Sequence, residues 1–381
     1  MPPDTGLAGS GTEGPWFCDA NAGVPVLPEV LEEFAATERR CPGNPASVHA
    51  PGRAARAALE AARDRIAQAL GLAGVDVVFT SGGTEAANLA VHGLGDPKLP
   101  VLLAEVEHPA VREPAAVRGC ELWSVDDQGT ACVVQPNRRI GLVCLVHAQS
   151  ELGTLQPVGA AAEVAHQLQA PLFVDAAQTL GRVPLAEVCA RATALALSPH
   201  KAGGLRGFGV LAGRGLAGHL RPFLRGGSQE QGLRPGTTSP ALAAANALAI
   251  ERAIAAQAAR AEAMRSVRGA FLAGLAESGV AHRVVTPLAA SLPNTAMVVF
   301  HAVDGRNLLP ALDLAGVHAS HGSACSSGAP TPPRILTAIG CAPAEARAAV
   351  RFSFDGSGSI ERWRRAGRTA GAVVRSRQEK T

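Results

Sequence analysis

The chain has 381 residues, more than one hydrophobic core ordinarily supports, and 47% of them are apolar, so two domains or one large α/β domain with an appendage are expected. A formal charge of +3, spread evenly, leaves no basic footprint for nucleic acid. No apolar run reaches the roughly 18 residues of a membrane span, and residues 1–15 lack the basic start and apolar stretch of a signal peptide. They read as a frayed tail, and the expected compartment is a cytoplasm that keeps thiols reduced.

Short β-branched runs alternate with Ala-rich helical stretches along the chain. Residues 75–80, 101–105, 140–147, 172–175, 192–197 and 207–212 read as buried strands, and 53–70, 85–93 and 158–168 as helices with apolar spacing near 3.6. Strands that alternate with helices imply right-handed crossovers and a mostly parallel sheet covered on both faces. A long Ala/Arg/Leu pattern at 241–274 reads as a helical bridge into a second domain. That domain holds a strand at 291–301, a helix at 307–315, a Gly/Ser/Cys loop at 320–329 and a strand at 350–354.

In an open parallel sheet ligands sit at the carboxyl ends of the strands. Three unusual segments fall there. Thr80-Ser81-Gly82-Gly83-Thr84-Glu85 is a small-residue turn into a helix, which reads equally as a phosphate cradle or as a plain helix cap. Asp175 ends the strand 172–175, with Gln178 three residues on; a lone Asp there is also a common cap or ion-pair partner. Ser198-Pro199-His200-Lys201 then runs into Ala202-Gly203-Gly204. The chain has three lysines, and Lys201 alone lies inside the predicted fold, since Lys98 sits in a Gly/Pro turn and Lys380 in the last residues. A lysine desolvated between a buried strand and a glycine turn has a lowered pKa, and its free amine can condense with an aldehyde; the competing reading is an ordinary surface lysine. Taken jointly, cradle, carboxylate and single lysine are what a phosphate-bearing pyridine aldehyde needs, and each occurs once, in that order. The eight cysteines form no CxxC pair and no metal spacing with histidine, so no metal site is expected, and all but Cys325 read as packing residues. His92, His166 and His219 read as structural.

On these residues the chain resembles the cysteine desulfurases, in the class V aminotransferase group of fold-type I pyridoxal 5'-phosphate (PLP) enzymes. The resemblance runs from about Trp16 to Arg365. It is carried by Gly43 to Ser47 with His49, Phe79 to Asn88, Val106-Glu107-His108, Glu151-Leu152-Gly153 with Gln156, and Val174 to Gln178. Ser198 to Lys201, Arg234 to Thr237, Gly322 to Ser327 and Val350 to Ser353 complete it. The implied fold is α/β: a large PLP-binding domain at 16–245 with a mostly parallel seven-stranded sheet, and a smaller C-terminal α+β domain at 246–381 that carries the catalytic cysteine loop.

Position by position, the resemblance implies that Lys201 bonds the cofactor, Asp175 pairs with its ring nitrogen, His108 stacks on the ring and moves protons, and Gln178 reaches the phenolic oxygen. Gly83, Thr84, Ser198 and His200 would hold the phosphate, joined by Thr237 from the partner subunit of a homodimer. Arg351 would take the carboxylate of L-cysteine, with Ser150 beside it. Cys325 would be the nucleophile that carries the sulfur as a persulfide to an acceptor protein while L-alanine is released, its Gly/Ser/Ala neighbours giving the loop freedom to move. Iron–sulfur assembly, tRNA or cofactor thiolation and secondary metabolism all fit as destinations. Selenocysteine lyase, another C–S lyase or an aminotransferase are the alternatives on the same fold. The chain departs from the family at Ser150, where asparagine is usual, and at Gly23-Val24, where paired threonines are usual.

Overall fold

The computed structural model describes residues 15–322 and 333–378. Its strands, in chain order, are β1 (Trp16–Phe17), β2 (Val77–Thr80), β3 (Val101–Ala104), β4 (Cys120–Trp123), β5 (Leu142–Val146), β6 (Leu172–Asp175), β7 (Ala194–Leu197), β8 (Gly209–Ala212), β9 (His282–Val284), β10 (Thr295–Phe300), β11 (Val317–His318) and β12 (Ala349–Ser353). The chain divides into two compact units. The larger comprises Gly23–Gln149 and Thr154–Arg260; the smaller gathers the N-terminal residues through Ala22, Ser150–Gly153 and the chain from Ala261 onward.

The larger unit is built on a seven-stranded sheet in the order β2-β8-β7-β6-β5-β3-β4. Pairs β3–β4, β3–β5, β5–β6 and β6–β7 are parallel, whereas β8 is antiparallel to both of its neighbours. Because β8 reverses twice, β2 runs in the same sense as β7. The carboxyl ends of β2, β3, β5, β6 and β7 therefore lie along one edge. The register keeps those ends level: Val146 pairs with Asp175, and Asp175 with Ala196. Strands β2, β3, β5, β6, β7 and β8 are buried along their whole length, as near-continuous apolar runs in a covered parallel sheet require. Their core continues through Leu89, Val91, Val111 and Phe173 into the flanking helices.

Residues 241–274 do not make one helix. Pro240–Ala255 and Gln257–Glu277 meet at Ala256, which sits at φ −96°, ψ 10°. Nothing local marks the break, since alanine is the best helix former; the Gln257 side chain donates to the carbonyl of Arg182, a tertiary contact.

The smaller unit has an antiparallel sheet β12-β10-β9 and a parallel pair β1–β11. Its core is aromatic: Phe271 packs against Phe352 and Phe354, and Phe354 meets Trp363 edge-on at 5.1 Å. Single bridges tie Asp19 to Ser353 and Ser320 to Arg351.

Candidate active site

Along the shared edge of the larger unit, β2 ends in the turn that opens the helix Gly83–Gly93. The N–H groups of its first turn have no intrahelical acceptor, and the dipole's positive end lies there. Thr80 Oγ1 donates to the Gly82 carbonyl at 3.0 Å, and Glu85 reaches back so that Ser81 N–H donates to its Oε2 at 2.6 Å. Gly83 leaves room for Ser198, whose Oγ would come within 2.4 Å of a Cβ there and would have to turn away. Gly209 on β8 is constrained by backbone: a Cβ would come within 2.4 Å of the Gly82 carbonyl carbon. The free N–H groups of the helix's first turn and the Ser198 hydroxyl thus border the space beside Gly83, a seat suited to a phosphate.

Two strands along the edge, Asp175 closes β6, 8% exposed, and its Oδ1 accepts from Ala177 N–H at 3.0 Å. Ser198-Pro199-His200-Lys201 follows β7 as a tight helical turn, Pro199–Lys201. Burial holds the His108 imidazole below its ordinary pKa; the Asp175 carboxylate opposes that shift, and the Lys201 ammonium adds to it. His108, Asp175 and Lys201 therefore share one electrostatic neighbourhood. His108 caps the helix Pro109–Arg118, its Nδ1 accepting from Ala110 N–H at 3.1 Å, which leaves the proton of the neutral ring on Nε2. His200 is pushed down to about 4 by burial, helped by the charges of Lys201 and Arg206.

Behind these groups lies a layer that sequence reasoning missed. Arg182, 1% exposed, donates through Nη1 to Gln178 Oε1 at 2.6 Å and through Nη2 to the Lys201 carbonyl at 3.3 Å, fixing both predicted residues from behind. Gln178 and Arg182 lie in the turn after β6, outside any helix, so no periodic pattern marks the pair. Glu107, next to His108, is 3% exposed; its Oε1 accepts from Val146 N–H at 2.6 Å, while Oε2 has no partner among the described residues. Burial pushes this carboxyl up to about 8, and the Asp175 charge adds to the shift. His147 is pushed down to about 4 by burial, and its Nδ1 lies 3.1 Å from Thr179 Oγ1.

Thr237 is exposed and lines a cleft with Asn44, Arg56 and Gln229. None of Gly83, Ser198 or Lys201 forms a wall of that cleft.

In the smaller unit, Arg351 on β12 is 2% exposed. Its Nη2 pairs with Asp19 Oδ1 at 2.5 Å, and Nη1 donates to the carbonyls of Ser150 at 3.0 Å and Gly322 at 2.5 Å. Nε is buried with no partner among the described residues. Ser150 thus enters through its backbone: the same carbonyl also accepts from Asn21 Nδ2 at 3.1 Å. The pairing of Asp19 with Arg351, 332 positions away, has no local signal in the sequence. Cys325 lies outside the described residues.

The residues fit the cofactor that the resemblance implies. The Gly83–Ser198 seat suits its phosphate, a buried carboxylate suits its ring nitrogen, and the lysine shares the neighbourhood of both. Comparison with known proteins agrees. The sequence profile described as aminotransferase class-V matches residues 16–358. Cysteine desulfurase IscS of Dictyoglomus turgidum is 33% identical over 353 residues, 88% of this chain and 89% of that protein. An IscS-like cysteine desulfurase of Mycobacterium tuberculosis is 32% identical over 371 residues, 91% and 92% of the two chains. Among solved structures, a NifS-like protein superposes with a TM-score of 0.83 at 28% identity over 96% of this chain and 99% of that one. DndA from Streptomyces lividans does so with a TM-score of 0.70 at 31% identity over 86% and 96%.

Proposed function

We propose a division of labour among these residues on the premise that the chain belongs to the aminotransferase class-V family and is a pyridoxal-phosphate-dependent cysteine desulfurase. Lys201 holds the cofactor covalently, Asp175 keeps its ring nitrogen protonated, and Gln178, fixed by Arg182, meets the phenolic oxygen. Gly83, Thr84, Ser198 and His200 take the phosphate. Bound in this way, PLP supplies an electron sink for the charge that develops at the carbon bearing the substrate's amino group.

The chain's own residues do the rest. Arg351 binds the substrate carboxylate; Asp19 and two carbonyls fix the guanidinium, and Nε, without a partner among the described residues, is a donor left for an oxygen. His108, its Nδ1 engaged by Ala110 N–H, would offer Nε2–H for proton transfer. The Cys325 thiolate takes the sulfur of L-cysteine: an S–S bond forms, the C–S bond breaks, and the carbon skeleton leaves as L-alanine. Burial pushes the thiols of Cys18, Cys144 and Cys189 up, which makes those three poor nucleophiles and supports the assignment to Cys325. The persulfide passes to an acceptor protein. Thr237, directed into its own cleft, serves the cofactor of a second copy in a homodimer. A thiolate reaction needs a reducing compartment, and the seven described cysteines are free thiols, which supports the cytoplasm. Among the described residues no helix is long and apolar enough to cross a membrane.

The observation that carries this reading is the shared neighbourhood of His108, Asp175 and Lys201 beside a phosphate seat. Its test is sulfide and alanine release from L-cysteine with reductant and PLP. Wild type is expected to yield the two equally, and Cys325→Ala to yield neither while keeping its cofactor colour. Sulfide release at the wild-type rate from the variant would show that Cys325 is not the nucleophile.

A further inference from the structure

Strand β2 is the outer strand of the seven-stranded sheet, so one side of its backbone has no strand partner. An edge inside a protein still needs its N–H and C=O groups satisfied. Here a buried ion pair does so. Arg63 Nη1 donates to the Val77 carbonyl at 2.7 Å, and Glu230 Oε2 accepts from Phe79 N–H at 2.8 Å. The two side chains bind each other as a fork, Nη1 to Oε2 at 2.7 Å and Nη2 to Oε1 at 3.0 Å, and their side chains are 6% and 1% exposed. The Arg63 guanidinium also lies over the Phe79 ring, 4.4 Å from its centroid, and Thr238 Oγ1 donates to Glu230 Oε1 at 3.3 Å.

A second ion pair repeats the pattern on the far side of the turn. Arg234 donates to both Glu85 oxygens, at 2.8 and 3.2 Å, and Glu85 also accepts from Ser81 N–H. The segment 230–238 therefore grips the turn 79–85 at Phe79 and at Ser81. Its own backbone is held in an unusual state, with Glu230 at φ 46° and Gln231 at φ 58°, the left-handed region that non-glycine residues keep only where their surroundings hold them.

We propose that segment 230–238 is a clasp for the phosphate turn, and that Glu230 is a positioning residue for cofactor retention. The assignment rests on the reading of the turn 80–84 as the phosphate seat. Glu230 acts through the backbone it holds: it fixes the end of β2 and, eight positions along, the segment that carries Thr237. Phosphate turn and Thr237 then move as one rigid piece.

The experiment follows cofactor release from holoenzyme, by its visible absorbance, into buffer with inorganic phosphate as the competing anion, with melting temperature recorded alongside. Glu230→Gln is expected to release cofactor about tenfold faster. The double variant Arg63→Met/Glu230→Met replaces a desolvated pair by apolar side chains, an exchange that buried ion pairs commonly tolerate. It is expected to recover only part of the melting temperature lost by Glu230→Gln and still release cofactor about tenfold faster, because the Val77 carbonyl and the Phe79 N–H stay uncapped. Recovery of both properties would show that the pair only fills the core and would overturn the proposal. Glu85→Gln, at a half-buried residue, probes the second grip and is expected to release cofactor several-fold faster. Thr84→Val tests the underlying reading. Faster release in Thr84→Val with wild-type release in Glu230→Gln and Glu85→Gln overturns the clasp alone; wild-type release in all three overturns the phosphate seat as well.

Discussion

Glu107 is a carboxylic acid that the fold keeps protonated at neutral pH, and that has a consequence for stability. Its Oε1 takes the Val146 N–H at 2.6 Å, its Oε2 is buried without a partner among the described residues, and burial pushes its pKa up to about 8, Asp175 adding to the shift. In the unfolded chain the same group titrates in the ordinary carboxylate range, near ~4.3. Between those two values the folded state holds a proton that the unfolded state has lost, so rising pH favours unfolding. The slope is about 1.4 kcal/mol per pH unit, and from pH 5 to pH 8 it removes at most about 4 kcal/mol. Glu107→Gln keeps the shape and the carbonyl acceptor for Val146 N–H but cannot ionise. The assay is urea denaturation of wild type and variant side by side from pH 5 to pH 8, comparing midpoints. The Gln variant is expected to lose about 4 kcal/mol less than wild type across that range, and to be the more stable of the two, relative to pH 5, by pH 8. Parallel pH profiles would refute the reasoning, because they would mean that Glu107 ionises alike in both states.

Two further predictions follow from the same geometry. Asp19→Asn removes the charge that holds Arg351, whose side chain is only 3% exposed; the variant is expected to lose a few kcal/mol of stability and to show a KM for L-cysteine raised about tenfold with a smaller change in kcat. An unchanged KM would mean that Asp19 does not orient the carboxylate-binding group. Gly83→Ala places a Cβ 2.4 Å from Ser198 Oγ; overpacking of this kind costs about 1–3 kcal/mol, so titration of the apoenzyme with PLP is expected to show roughly tenfold weaker binding. Wild-type affinity would place the phosphate elsewhere.

Much of the larger unit was legible because its information is local. The strand ends predicted from apolar runs lie within two residues of those of β2, β3, β5, β6, β7 and β8. β4, Cys120–Trp123, escaped notice because an edge strand with exposed Cys120 and Leu122 has no continuous apolar run. The candidate site was legible for a related reason. Asp175 ends a strand and Gly83 and Lys201 come within four residues of one, so a sheet with level carboxyl ends gathers them without further instruction.

What the sequence by itself determined is therefore the set of strands in the sheet and the residues waiting at their ends, since periodicity and turn chemistry act over a few residues. Only the tertiary structure decided which charges go inside. Arg63 finds Glu230 across 167 positions and Arg351 finds Asp19 across 332. Trp16–Phe17, at the start of the described chain, pairs with Val317–His318 near its end. Arg, Glu and Asp read as solvated surface in any local window; the cost of desolvating them is met only by a partner that the finished fold supplies. Those pairings, invisible along the chain, are what hold the visible motifs in place.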